Sequence, residues 1–192
     1  MRKVLGLSIS AAAILATGLL PMAAFASMTS PAADTPVTFT VSGGLIGISA
    51  PTATAVLSDA DIGATATGSL GVVEVTDNQG LDGGNWTATA STSTFTTGAG
   101  PDFTTPETIP ITDVGYDPGT TASIQAGATG TVTVTATDIT IADGGLTGSP
   151  TVVAATDIEG DNTVSWNPVI SVHVPTTNVS GDYAGTITDS LT

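Results

Sequence analysis

Acidic side chains at alternate positions dominate what this sequence offers chemically. The run Asp157-Ile-Glu159-Gly-Asp161-Asn162 spaces three carboxylates two residues apart. In a loop, such spacing wraps oxygen ligands around a hard cation such as Ca2+, as the opening of an EF-hand loop does. The glycine here precedes the third acid, and no Glu stands at the twelfth position. The same pattern also suits acidic turn residues that simply face water. Asp59/Asp61 and Asp77/Asp82 are further acidic pairs. Carboxylates crowded together without a base would gain from a divalent cation.

Trp86 and Trp166 are the residues suited to stacking on a sugar polymer. Each also falls in an alternating run, where a tryptophan serves as core, as in immunoglobulin-like sandwiches. Both readings stay open on spacing alone. Asp182-Tyr183, following Ser180-Gly181, resembles a tyrosine corner, in which a phenol ties a strand start to nearby backbone.

Catalysis has little to draw on. The 192 residues hold Asp+Glu 17, Lys+Arg 2, one His and no Cys, for a formal charge of −15. Charged residues are 10% of the chain, against roughly 25% in average domains, so the imbalance comes from missing bases. Both bases, Arg2 and Lys3, are at the N-terminus. A P-loop or kinase site needs a lysine further along. Thiol nucleophiles, disulfides and Cys-ligated zinc are excluded. A protein that displaces phosphate counterions needs Lys and Arg, so nucleic acid is not an expected partner. His173 alternates with Val169 and Ser171, opposite Ile170 and Val172, which suits a surface strand better than a triad base. Glu74, Glu107 and Glu159 are the only glutamates, and no spacing pairs them for glycoside hydrolysis. The expectation is a protein that is not an enzyme.

Strands must position these groups. Val37, Phe39 and Val41 alternate with threonines, and Thr131-Val-Thr-Val-Thr-Ala-Thr137 has period 2 with β-branched residues at nearly every place. Such runs cover roughly 36–41, 44–49, 53–57, 64–77, 85–96, 108–112, 130–141, 151–156, 163–174 and 182–190. Gly, Asp and Asn clusters such as Asp82-Gly-Gly-Asn85 and Asp143-Gly-Gly145 separate them as turns. The phase slips near Asp138, which calls for a β-bulge or a short break. No amphipathic helical stripe survives the threonines and glycines. The expected fold is all-β, an antiparallel immunoglobulin-like β-sandwich.

The ends set the expected location. Arg2 and Lys3 form a positive n-region, residues 4–20 are small and apolar, and Ala24-Phe25-Ala26 fits a signal-peptidase site. Residues 1–26 therefore read as a cleaved signal peptide, 27–36 as a flexible lead-in, and 37–192 as one domain. Cleavage takes the charge to −17, with no base remaining. The last residues, Thr186-Ile-Thr-Asp-Ser-Leu-Thr192, show no apolar tail or sorting signal. A mature chain without a transmembrane segment, released or held non-covalently at the surface, is expected.

Three stretches together carry a family resemblance. They are Val75-Thr-Asp-Asn-Gln-Gly80 leading to Asn85-Trp86-Thr87-Ala88, then Thr163-Val-Ser-Trp166-Asn-Pro168, then Val174-Pro175 leading to Gly181-Asp-Tyr183-Ala-Gly-Thr-Ile187. This resembles the WxL-domain proteins of Gram-positive bacteria, in the divergent form of secreted actinobacterial proteins, over roughly residues 36–190. The first Trp-x-Leu motif reads Trp86-Thr-Ala88, and the second is replaced by Thr188-Asp189-Ser190-Leu191. The resemblance implies a secreted, β-rich surface protein associated non-covalently with peptidoglycan or with other surface proteins, and Trp86 is the motif position that carries over. The alternatives are an assembly subunit that pairs through strand edges, or a carboxylate-based hydrolase of wall glycans.

Overall fold

The computed structural model describes residues 36–98, 107–119, 123–126 and 132–192. The expected signal peptide, and all of the lead-in except Pro36, lie outside the described residues. The chain divides into two compact units, Met1–Phe39 and Thr40–Thr192. The second carries every strand given below.

Threonine–valine alternation becomes strand wherever a neighbour takes up the backbone groups. The strands are β1 (Ile46–Ser49), β2 (Thr65–Ser69), β3 (Val73–Asp77), β4 (Asp82–Thr92), β5 (Phe95–Thr96), β6 (Thr108–Ile109) and β7 (Val114–Asp117). There follow β8 (Ser123–Ala126), β9 (Thr133–Ala136), β10 (Thr151–Glu159), β11 (Asn162–Trp166), β12 (Val169–His173) and β13 (Ile187–Leu191). All their pairings are antiparallel. The sheets run β1-β3-β11-β8, β2-β12-β7 and β13-β4-β10-β9, with β5-β6 as a short ribbon.

The first two sheets repeat one order, because β2/β3, β7/β8 and β12/β11 are consecutive in the chain. They are two halves of one bent layer, bridged where Leu70 N–H donates to the Pro168 carbonyl at 2.9 Å. Pro168 breaks the expected 163–174 run into β11 and β12, since proline brings no N–H to a ladder. The third sheet forms the opposing layer. Val73, Val75, Val164 and Ile170 from the bent layer join Trp86, Ala88, Val153 and Ala155 from the other in one buried core. The fold is thus an all-β antiparallel sandwich.

Several expected runs resolve differently. Residues 36–41 and 53–57 form no ladder strand among the described residues. The second of these flanks β2 instead, with Ser58 N–H donating to the Thr67 carbonyl at 2.8 Å. The phase slip at Asp138 is a break. β9 ends at Ala136, and Ile139 then exchanges hydrogen bonds of 2.9 Å with Tyr116 on β7 rather than following β10. β10 outlasts its alternation because a register shift between Ala155 and Ile158, with Asp157 at φ 54°, returns Ile158 to the core. β7 and β8 were not among the expected strands.

Candidate functional site

Trp86 and Trp166 are each 2% exposed, which corrects the stacking-platform expectation: a buried indole has no face to offer a polymer. Their parity explains it. Trp86 shares the inward face of β4 with Ala88 and Ala90, and Trp166 that of β11 with Asn162 and Val164. Trp166 heads a polar chain through the core instead. Its Nε1–H donates to Tyr116 Oη at 2.8 Å, and that hydroxyl donates to Asp189 Oδ1 at 2.8 Å. The chain ties β11, β7 and β13 across the layers. Burial, and then the Asp189 charge, push the Tyr116 phenol far above its ordinary value. Burial also raises the Asp189 carboxyl, with the bond from Tyr116 partly opposing it. The second carboxylate oxygen of Asp189 and the Nε1 of Trp86 are buried without a hydrogen-bond partner.

The structure does not assemble Asp157, Glu159 and Asp161 into a chelate. The bulge at Asp157 turns Ile158 inward and leaves the three acids exposed along the end of β10 and the turn after it. Among the described residues, no group of three or more His, Cys, Asp or Glu is gathered closely enough to hold a metal ion. That turn does meet the turn following β3. Gly160 N–H donates to the Leu81 carbonyl at 2.8 Å, and Glu159 is the register partner of Asp82. Below them Asp77 and Asn162 face each other across β3 and β11, 1% and 2% exposed. Asp77 Oδ1 accepts from Gln79 N–H at 3.0 Å, and Oδ2 takes a long 3.4 Å contact from Asn162 Nδ2.

The three glutamates fall on different elements. Glu74 lies on β3, Glu107 just before β6, and Glu159 at the end of β10. His173 is half-buried on β12, alternating with the core residues Ile170 and Val172.

Among the described residues, a cleft of about 560 Å³ lies between the segment flanking β2 and the approach to β13. Leu57, Phe95, Val172 and Tyr183 line it, with Asp59 and Asp182 among its polar groups. Phe95 and Tyr183 are half-buried, packed against the core while lining the cleft. Tyr183 is held as the tyrosine-corner pattern requires, its hydroxyl donating to the Val179 carbonyl at 2.8 Å. Asn178, 5% exposed, braces it from below, with Nδ2 donating to the Thr108 carbonyl at 2.9 Å and to Tyr183 Oη at 3.3 Å. Sequence reasoning found Tyr183 by its motif but missed Phe95, which sits in strand alternation with no distinguishing neighbour. Among the described residues, no helix is long and apolar enough to cross a membrane. No family model, curated protein or solved structure matches the chain.

Proposed function

We propose that this is a secreted, non-enzymatic cell-surface protein that holds non-covalently to the bacterial cell wall, with peptidoglycan glycan seated in the cleft beside Tyr183. The observation that carries the reading is the cleft itself, lined by half-buried Phe95 and Tyr183 together with Asp59 and Asp182. Aromatic faces stack on pyranose rings, and carboxylates accept from sugar hydroxyls. The leader-like residues 1–26 and the WxL resemblance support the setting, and the Tyr183 corner supports an immunoglobulin-like form of the sandwich. Trp86 contributes by packing the scaffold rather than by touching the wall. An acidic surface without bases is repelled by anionic wall polymers, so divalent cations are expected to bridge the two. Pull-down on purified peptidoglycan should retain the protein with Ca2+ and release much of it with EDTA. Asp59→Asn with Asp182→Asn should weaken retention several-fold. No retention in either condition overturns the reading.

A second reading has its own observation. Val37 and Phe39 are 83% and 85% exposed, an apolar face on an alternating run that joins no ladder among the described residues. Such a face suits strand-edge assembly with other copies or with another surface protein. Size-exclusion chromatography and electron microscopy separate the two, since a strict monomer argues against assembly.

A further inference from the structure

β1 stands at the end of its sheet and pairs, among the described residues, with β3 alone. Its second edge is open to a further strand. Sheet edges are ordinarily blunted by charge or proline, and the run Leu45-Ile46-Gly47-Ile48-Ser49-Ala50 has neither. A groove of about 410 Å³ follows this strand, lined by Leu45, Gly47, Ser49, Glu74 and Thr76 among others. Gly47 leaves a hollow in it, since a Cβ there would meet nothing within 4 Å. Leu45 nearby is exposed.

The same chain supplies a strand that fits. Val37 and Phe39 are exposed on an alternating run without a ladder among the described residues, and Val41, also exposed, continues the alternation. No charged side chain stands between Thr35 and Ser58, the longest such stretch after Asp34. Two copies of so acidic a chain repel over most of their surface, so contact costs least where both are uncharged. Residues 37–41 and β1 both lie in that stretch. A second copy therefore brings the uncharged strand that any other partner would have to supply for itself.

We propose that two copies exchange residues 37–41, each laying the segment antiparallel along the other's β1 with Phe39 opposite Gly47. Residues directly opposite share a face, so this register sets the phenyl ring over the hollow at Gly47 and Val41 against Leu45. An aromatic side chain across from an edge glycine covers the backbone that the glycine leaves bare. Only residues 42–45 separate the segment from its own β1, so the alignment is reciprocal: Gly47 of the first copy falls opposite Phe39 of the second. Each copy gives one strand and receives one, and the contact closes at two copies rather than running on as a fibre. The proposal rests on the strand-edge reading and adds its partner, segment and register.

The experiment uses introduced thiols, because the chain has no cysteine of its own. Purified Phe39→Cys and Gly47→Cys proteins, mixed and mildly oxidised, should give mostly the mixed disulfide by mass spectrometry. Like positions lie roughly 26 Å apart in this register, too far for a disulfide, so neither variant alone should cross-link efficiently. Light scattering after size exclusion should show the parent as a dimer. Phe39→Asp should weaken that dimer roughly tenfold or more and leave the melting midpoint of dilute protein unchanged. A strict monomer overturns the proposal together with the strand-edge reading. An oligomer that yields no mixed disulfide, or that survives Phe39→Asp, overturns the proposal alone.

Discussion

Removing the Tyr116 hydroxyl leaves two buried groups without a partner at once, the Trp166 indole N–H and the Asp189 carboxylate. Each unpaired buried polar group costs about 1–3 kcal/mol. Tyr116→Phe should therefore lower stability by roughly 2–3 kcal/mol in urea unfolding with little change in slope. Asp189 behaves oppositely. Burial holds its folded-state pKa above the unfolded value, so its favourable contribution is full below the unfolded pKa and is lost as pH rises through the folded one. Ionised Asp189 thus opposes folding at neutral pH. Asp189→Asn keeps an oxygen for Tyr116 and drops the charge. The variant should be more stable than the parent at neutral pH, with the gap closing as acid protonates the parent. A parent more stable at neutral pH would contradict this account.

At the scale of elements, one turn governs how the 3-10 segment Ile111–Asp113 seats against the chain after Ile141–Asp143. Gly145 has φ 61°, and a Cβ there would sit 2.6 Å from the Thr112 carbonyl oxygen. Backbone cannot yield as a flexible side chain would. Gly145→Ala should cost about 1–3 kcal/mol, read as a lowered melting midpoint. Elements whose side chains alternate were legible in the sequence. Val73 and Val75, Trp86 to Ala90, and Ile170 with Val172 all take the parity their spacing implies. β7 was not, because Gly115 interrupts the pattern and Pro118 follows it closely. Residues 37–41 show the limit from the other side, since alternation reports strand propensity and says nothing of a neighbouring edge. The candidate site was less legible still. Trp166 and Tyr116 stand 50 residues apart, and Asp77 and Asn162 stand 85 apart. Only the topology brings such pairs together.

Across the whole molecule, the charge is one-sided. Asp138, although exposed, has its carboxyl raised by partial burial and then by Asp117 and Asp143 nearby, a local sign of general self-repulsion. Moving from low salt to roughly 0.5 M NaCl should raise the melting midpoint, because a Debye length of a few ångströms screens these contacts. A fall would contradict net self-repulsion as the governing term. If residues 1–26 are removed, no Lys or Arg remains. Trypsin should then leave the mature protein intact by mass spectrometry, and any tryptic fragment would refute that boundary. The C-terminal strand has a temporal consequence. Thr87 on β4 and Thr192 exchange backbone hydrogen bonds across 105 residues, and β13 also brings Asp189 to the Tyr116 chain. A chain made from its N-terminus holds β4 with an open edge and Trp166 with an unfinished polar chain until β13 emerges. Closing that edge and that polar chain therefore depends on contacts of high sequence separation, which carry a large loop-closure cost in folding.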